Sequence, residues 1–207
     1  MQRSARRVPV EHRFFGLDKR TIPFAAAAAA VWLLWAIVLP QIDERIAWDD
    51  PIRAGQRIQV TDDVTFAPAE GWGLLSGLRT TDVTSSGQRS VPQVALTNNG
   101  VSFFVQRGDW DGTPRALLDQ VTKITTTESG GDGFAVSTRP TTIETASGLD
   151  GVVEGFRSPR VEGLIAAFVA GGQGIEVQVV GTTEQLNKHT DEIGRMLASF
   201  RHDGAAR

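Results

Sequence analysis

The most site-like stretch of the sequence is residues 107–112, which read Arg-Gly-Asp-Trp-Asp-Gly. Two aspartates followed by a glycine, here Asp109 and Asp111, are typical of the start of a calcium-binding loop. Gln120 occupies the position where such a loop needs its closing glutamate. We therefore interpret the stretch as a turn between a strand and a helix, with both aspartates near the positive end of that helix.

Aromatic residues suggest a surface that contacts a ligand or a partner. Trp110 lies within the same stretch, and Trp72 follows a glycine in a predicted turn. Together with Phe103, Asp109 and Asp111, they make up the contact surface that we predict. A packing anchor is the favoured interpretation of Trp72, and the lining of a groove beside a sheet is the alternative.

The other reactive residue types argue against catalysis and against a cofactor. The absence of cysteine excludes disulfides, thiolate metal sites and thiol nucleophiles. His12, His189 and His202 are spread along the chain, which makes a metal site or a catalytic triad improbable. The acidic pairs 49–50 and 62–63 are predicted to point to opposite faces of a strand as solvated charge. We expect no catalytic residue, no metal and no cofactor, and hence a protein that is not an enzyme.

The first 40 residues predict a membrane anchor. Residues 1–20 carry six basic and two acidic side chains, a net charge of +4. Residues 21–40 form the predicted transmembrane helix, because they are almost entirely apolar and long enough to cross a hydrocarbon core. No small-residue cleavage site follows closely, which favours an uncleaved anchor over a signal peptide. The positive-inside rule then places the basic tail in the cytoplasm and the rest outside the plasma membrane.

The remainder of the chain is predicted to be a stalk and one folded domain. Residues 41–56 mix charges with proline and glycine, which is typical of a stalk, and residues 57–203 are assigned to the domain. From residue 41 onward there are 15 basic and 22 acidic residues, a net charge of −7. A nucleic acid would require a basic surface, so we expect no nucleic-acid partner.

Apolar alternation and turn residues predict an antiparallel sheet in this domain. Asn98, Asn99 and Gly100 are typical of a tight hairpin whose turn needs positive φ angles. Residues 158–160 and 171–174 are predicted to join three further strands into a meander. A phosphate-binding loop is the alternative for 171–174, but no helix and no Lys-Ser or Lys-Thr pair follows. The strands so joined are residues 94–97, 101–106, 151–157, 161–170 and 175–181.

Two helices interrupt the predicted strands. Thr113 and Pro114 predict the start of the first helix, and Thr182 with Gln185 forms a capping-box pattern at the start of the second. The polar stretches 80–91 and 125–133 are predicted to be mobile loops. The apolar stripes predicted to face the sheet are Leu117, Leu118, Val121 and Ile124, then Leu186, Ile193, Met196, Leu197 and Phe200. The fold class is therefore α+β, a mostly antiparallel sheet flanked by two helices.

Two short motifs carry a family resemblance. Residues 64–72 (VTFAPAEGW) resemble the opening strand and turn of PsbP-like domains, and residues 193–201 (IGRMLASFR) resemble their final helix. This group also includes the LpqN-type lipoproteins and the Mog-type proteins that bind a small GTPase. The resemblance covers about residues 57–203, and with the membrane anchor it looks most like conserved membrane proteins of actinobacteria. It implies a PsbP-like sandwich and a binding or assembly role without catalytic residues.

The functional expectation is a membrane-anchored, extracytoplasmic binding or scaffolding module, an accessory protein of the bacterial cell envelope. Its expected partners are the lipid bilayer, through the N-terminal helix, and an envelope membrane protein or a lipid. The first alternative is a carrier of a lipid or small hydrophobic ligand in a cleft near Trp72, Phe103 and Phe104. The second is a hydrolase that uses two converging carboxylates.

Overall fold

The computed structural model describes residues 50–82, 91–128, 134–159 and 161–203. The predicted basic tail, the transmembrane helix and residues 41–49 of the stalk lie outside these ranges. Within them, no helix is both long and apolar enough to cross a membrane. The strands are β1 (Ile58–Gln59), β2 (Val64–Phe66), β3 (Gly73–Ser76), β4 (Leu78–Arg79), β5 (Gln93–Asn98), β6 (Val101–Asp109), β7 (Ala135–Val136), β8 (Thr141–Glu144), β9 (Asp150–Arg157), β10 (Glu162–Ala170), β11 (Gln173–Gly181) and β12 (Arg201–His202), and the helices are α1 (Pro114–Glu128) and α2 (Thr183–Ala198).

The described strands form two antiparallel sheets. The large sheet has the order β3-β5-β6-β11-β10-β9-β7, and β8 also pairs with β9. The small sheet has the order β12-β2-β1-β4. This arrangement confirms the predicted α+β fold, in which two helices accompany antiparallel sheets. The small sheet was not predicted, because strands of two or three residues are too short to show an alternating pattern.

The predicted hairpins are confirmed. Asn99 and Gly100 have φ angles of 45° and 78°, the left-handed pair that a two-residue hairpin turn requires. Gly171 and Gly172 turn β10 into β11 with φ angles of 57° and 76°. Gln173 already belongs to β11, so this turn is two residues shorter than the predicted 171–174.

Both helix starts are confirmed. The Thr113 Oγ1 atom accepts a hydrogen bond of 3.2 Å from the backbone N–H of Ala116, and Pro114 is the first residue of α1. Thr182 caps α2, and both reciprocal bonds of its capping box with Gln185 are present. These local hydrogen bonds satisfy backbone donors that would otherwise lack partners at a helix end.

The predicted loop 125–133 is wrong over its first part, because α1 continues through residue 128. Its last turn is rich in threonine, a residue with low helix propensity. Each of three threonine hydroxyls donates to the backbone carbonyl four residues earlier, at 2.7 to 3.0 Å. These bonds keep the hydroxyls satisfied within the helix. The donors are Thr125, Thr126 and Thr127.

The large sheet is covered on both faces. Helix α1 packs Leu117, Leu118 and Val121 on one face, against side chains of β9, β10 and β11. The small sheet and α2 cover the other face, where they enclose the larger apolar cluster. The fully buried aromatic residues of that cluster are Phe66, Trp72, Phe103, Phe168 and Phe200.

The two motifs that resemble PsbP-like domains contact each other. The rings of Phe66 and Phe200 stack with centroids 4.8 Å apart and an interplanar angle of 6°. The backbone N–H of Ala67 donates to the Oγ atom of Ser199 at 2.9 Å. Each buried ring contributes about 1.5–3 kcal/mol through burial alone. The opening strand and the end of the last helix therefore stabilise the same layer.

The predicted stalk requires a correction, because residues 50–56 belong to the folded domain. The side chain of Ile52 is only 1% exposed and joins the larger core cluster. Its backbone N–H donates to the carbonyl of Trp72 at 2.7 Å, and its carbonyl accepts from Gly71 at 2.9 Å. Pro51 and Gly55 suggest a linker in sequence, but Ile52 between them completes the core beside Trp72. The domain therefore includes Asp50 and does not begin at residue 57.

Candidate binding surface at the loop end

Four chain segments meet at one end of the sheets, which we call the loop end: residues 60–63, 107–113, 171–173 and 202–203. The register of the strands brings them together. Gln173 of β11 pairs with Asp109 of β6, and His202 of β12 pairs with Val64 at the start of β2. The opposite end, which we call the hairpin end, consists of residues 70–73 and 98–100.

A pocket of about 200 Å³ lies at the loop end, where residues of the small sheet meet residues of the large one. The residues that line it are Thr61, Asp62, Asp63, Arg107, Ala170, Gly171, Gln173 and His202. Most of these side chains are polar, and they come from positions far apart in the chain.

The acidic side of the pocket is a rigid turn. The Oγ1 atom of Thr61 accepts backbone hydrogen bonds from Asp63 at 3.3 Å and from Val64 at 3.0 Å. This turn leaves the side chains of Asp62 and Asp63 exposed. Our prediction that the pair points to opposite faces of a strand is wrong, because β1 ends before residue 60 and both residues lie in the turn.

Arg107 contributes hydrogen-bond donors to the pocket. Its side chain is half-buried, and its Nε atom donates to the carbonyl of Val91 at 3.4 Å. Among the described residues, no carboxylate lies within ion-pair distance of it. The pocket therefore combines guanidinium donors with the carboxylate acceptors of Asp62 and Asp63, and it suits recognition of a polar group.

The predicted contact residues 109–111 lie beside this pocket. Asp109 is the last residue of β6, and Trp110 and Asp111 begin the turn between β6 and α1 that we predicted. Asp109 accepts a hydrogen bond of 2.6 Å from the side-chain amide of Gln173, which also lines the pocket. The backbone N–H of Trp110 donates to the Gly172 carbonyl at 2.9 Å, and its indole N–H donates to the Thr113 carbonyl at 3.2 Å. Asp111 is exposed. In the described ranges, no group of three or more acidic or histidine side chains could hold a metal ion.

The solved structures similar to this chain identify its fold. The solution structure of cyanobacterial PsbP from Synechocystis sp. PCC 6803 matches with a TM-score of 0.52 at 12% identity, over 77% of this chain and 99% of that one. The domain has a PsbP-like fold. At this identity the likeness concerns the fold alone.

Two further structures are more distant. LpqN, involved in cell envelope biogenesis of Mycobacterium tuberculosis, matches with a TM-score of 0.42 and 11% identity, over 72% of this chain and 87% of that one. The Ran-binding protein Mog1p of Saccharomyces cerevisiae matches with a TM-score of 0.38 and 10% identity, over 72% of this chain and 95% of that one. No family model matches the sequence, and no curated protein does.

Two of the predicted contact residues lie inside the core of the PsbP-like domain. Trp72 and Phe103 are both 0% exposed, and their rings meet edge to face with centroids 6.2 Å apart. The Trp72 side chain therefore serves as a packing anchor, which is the interpretation we favoured. Of the five predicted contact residues, Asp109, Trp110 and Asp111 share one surface, whereas Trp72 and Phe103 do not reach it.

The polar atom of Trp72 is satisfied within the PsbP-like domain. Its indole N–H donates to the Oε2 atom of Glu192 at 2.8 Å, and the Nδ1 atom of His189 lies 2.9 Å from the same oxygen. Burial would raise the pKa of Glu192, but the hydrogen bonds from Trp72 and His189 outweigh it and hold that pKa below its usual value. The buried His189 belongs to this cluster.

A buried carboxyl group on β11 was not predicted. Glu176 is 5% exposed, and burial raises its pKa to about 7 although the amide of Gln178 donates to it at 2.5 Å. The sequence pattern showed only the other side of this strand, where Ile175, Val177 and Val179 face the larger core cluster. An acidic residue between apolar ones normally indicates a solvent-facing position. Here α1 covers the sheet, so burial could not be read from alternation.

The pocket residues themselves were also missed in sequence. Arg107 was noted only as part of the stretch 107–112, and His202 only as one of three histidines spread along the chain. They meet because β12 returns to pair with β2 and because β6 lies beside β11. Both pairings join residues far apart in the chain, so no local sequence pattern predicts them.

Proposed function

We propose that this chain is a membrane-anchored, extracytoplasmic, non-enzymatic binding module that acts as an accessory protein of the bacterial cell envelope. The observation that carries the binding role is the loop end, where four segments of a rigid two-sheet body surround one polar pocket. Loops held by a rigid scaffold are where binding residues concentrate. The anchoring is supported by the basic tail and the apolar residues 21–40.

The charge of the loop end defines the kind of partner. Asp62, Asp63, Asp109 and Asp111 are all exposed there. A partner surface that carries lysine or arginine would complement these carboxylates, and the Arg107 donors would bind an acceptor within the contact. The partner we propose is therefore a protein of the envelope with a basic contact patch.

The alternative of a lipid carrier receives no support from the described residues. That alternative places a cleft near Trp72, Phe103 and Phe104, and all three side chains are buried. The rings of Trp72 and Phe103 pack edge to face against each other. We therefore do not carry it forward as a second proposal.

Comparative affinity capture of the full chain tests the proposed function. The chain would be expressed with an affinity tag in the bacterium it comes from, crosslinked in intact cells and analysed by mass spectrometry. The test variant is the double substitution Asp109→Ala with Asp111→Ala. The matched control is Glu70→Ala with Asp191→Ala, which removes the same charge from exposed positions outside the loop end.

We expect the wild type and the control to capture the same envelope protein and the loop-end variant to lose most of it. Capture of cytoplasmic proteins alone would contradict the extracytoplasmic placement. Equal capture by all three chains would show that the partner binds elsewhere on the molecule.

A further inference from the structure

The loop-end pocket contains side chains of opposite charge that do not pair with each other. Arg107 and the carboxylates of Asp62 and Asp63 all line it. Within the described ranges, none of the three takes part in an ion pair. Elsewhere in the domain opposite charges do pair directly, as Arg79 does with Asp50 at 2.6 Å. The pocket therefore keeps its guanidinium and its carboxylates apart.

The strand register turns Arg107 toward the small sheet. Arg107 on β6 lies opposite Ile175 on β11, and residues opposite each other in an antiparallel pair share a face of the sheet. Ile175 belongs to the larger core cluster, which the small sheet covers. The side chain of Arg107 therefore extends from the large sheet toward the turn of the small sheet that contains Asp62 and Asp63.

Most hydrogen-bond donors of Arg107 remain available. A guanidinium has five N–H groups, and the one on Nε donates to the Val91 carbonyl at 3.4 Å. In the part of the chain that the structure describes, no acceptor binds the N–H groups on the two Nη atoms. These donors can bind an anionic group that enters the pocket, in the fork geometry that suits a carboxylate or a phosphate.

The carboxylates on the opposite side are also available, because backbone atoms hold their turn in place. The Asp63 carbonyl accepts a hydrogen bond of 2.8 Å from the backbone N–H of Asp203, and the Asp62 carbonyl accepts one of 3.2 Å from the side-chain amide of Gln59. Both aspartate side chains are exposed. The turn thus presents two carboxylates that can bind a cation.

The size and the mixed charge of the pocket restrict its ligand. Its volume of about 200 Å³ is below the roughly 300–1,000 Å³ of sites for drug-sized molecules, which indicates a small group. A purely cationic group would be attracted by Asp62 and Asp63 and repelled by Arg107, and a purely anionic group would experience the reverse. A group with both charges pairs with both sides of the pocket.

We infer that the loop-end pocket is a site for a small dipolar group that carries an ammonium and a carboxylate or phosphate a few bonds apart, with the ammonium at Asp62 and Asp63 and the anionic end at Arg107. This inference rests on the proposed binding role of the loop end. It adds the chemical class of the ligand, which the proposed function leaves open.

Ligand-observed NMR titration of the full chain in a non-ionic detergent tests this assignment. The dipolar probes are β-alanine and O-phosphoethanolamine. The single-charge probes are ethylamine, propionate and methyl phosphate, which each keep one end of a dipolar probe. The pocket variants are Arg107→Gln and the double substitution Asp62→Asn with Asp63→Asn.

Matched controls remove the same charges outside the loop end. They are Arg139→Gln and the double substitution Glu70→Gln with Asp191→Asn, all at exposed positions. Circular dichroism establishes that every variant is folded. The comparison of dipolar with single-charge probes uses the wild type alone, so it does not depend on the folding of any variant.

We expect at least one dipolar probe to bind the wild type about tenfold more tightly than any single-charge probe, because only a dipolar probe pairs with both sides of the pocket. Each pocket variant should weaken this binding about tenfold, and the controls should leave it unchanged. Equal affinities for dipolar and single-charge probes, no binding of either dipolar probe, or full binding by the pocket variants overturns the assignment.

The two dipolar probes distinguish the source of the group. Tighter binding of β-alanine supports a free amino acid as the ligand, and tighter binding of O-phosphoethanolamine supports the headgroup of a zwitterionic lipid. Failure of this assignment is separable from failure of the proposed function. A chain that captures its envelope protein through the loop end but binds neither dipolar probe overturns the ligand class alone.

Discussion

The hairpin end and the loop end of the domain use polar side chains in opposite ways. At the hairpin end, the indole N–H of Trp72 donates a hydrogen bond to the Oε2 atom of Glu192. At the loop end, the carboxylates of Asp62 and Asp63 stay exposed beside a pocket. Polar groups paired within the protein stabilise the fold, whereas exposed ones remain available to a partner. The comparison assigns stability to the first end and recognition to the second.

Removal of the Trp72 side chain should have the largest effect on stability. Trp72→Ala empties a fully buried position and leaves Glu192 without its indole donor. We expect the free energy of unfolding to fall by about 3–5 kcal/mol, measured by denaturant titration with circular dichroism. Trp72→Phe keeps most of the volume and should cost clearly less. If Trp72→Ala lowers the free energy of unfolding by less than about 1 kcal/mol, the hairpin end does not have the stabilising role that we assign to it.

Glu176 extends the comparison to a buried carboxyl group under α1. Its pKa is raised from 4.5 to about 7 in the folded protein, so the folded state keeps a proton that the unfolded state releases. Its stabilising contribution is complete below pH 4.5 and is lost as the pH rises through about 7. We expect Glu176→Gln to be more stable than the wild type at pH 8, by up to about 3 kcal/mol.

The measurement for Glu176 is the free energy of unfolding of both chains at pH 5 and pH 8. The difference between the chains should shrink or reverse at pH 5, where the carboxyl group is protonated in the folded state. An equal difference at both pH values would show that Glu176 does not titrate as its burial implies.

The capping box at the start of α2 should have an intermediate effect. Thr182→Ala removes a side-chain oxygen that accepts from the backbone N–H of Gln185. The expected loss is about 1 kcal/mol in the free energy of unfolding. Thr183→Ser, one position into the helix, keeps its hydroxyl and is the matched control. A loss as small as that of the control would mean that the box contributes little to stability.

The loop end should show the smallest effect on stability. Asp62→Ala and Asp111→Ala each remove an exposed carboxylate that is not part of the core. We expect the free energy of unfolding to change by less than about 0.5 kcal/mol in each case. Thermal unfolding of both variants measures this. A loss comparable to that of Trp72→Ala would mean that the loop end supports the fold, and the contrast between the ends would fail.

Local features were predictable from the sequence, whereas long-range pairings were not. The turn at Asn99 and Gly100 and the helix cap at Thr182 each depend on a few adjacent residues, and both are confirmed. The resemblance to PsbP-like domains also predicted the fold. The two motifs that carry it, residues 64–72 and 193–201, contact each other in the structure.

The burial of Ile52 and the pocket at Arg107 depend on residues brought together from distant parts of the chain. A charged or proline-rich stretch normally indicates a stalk. Residues 50–52 belong to the domain instead, because they form a β-bridge and backbone hydrogen bonds with residues 71–74. The carboxylates of 62–63 were assigned to opposite faces because a strand was assumed, and the turn places both of them beside the same pocket. Whether such residues are buried or exposed depends on the pairing of strands that are distant in the chain.

Site-specific photocrosslinking in living cells tests the central claim most directly. A photoreactive amino acid replaces Asp111 at the loop end in one full-length chain and Glu70 at the hairpin end in another. We predict that the probe at position 111 captures one extracytoplasmic protein reproducibly and that the probe at position 70 does not capture it. Capture of that protein from position 70 alone, or of cytoplasmic proteins from position 111, would contradict the assignment of recognition to the loop end.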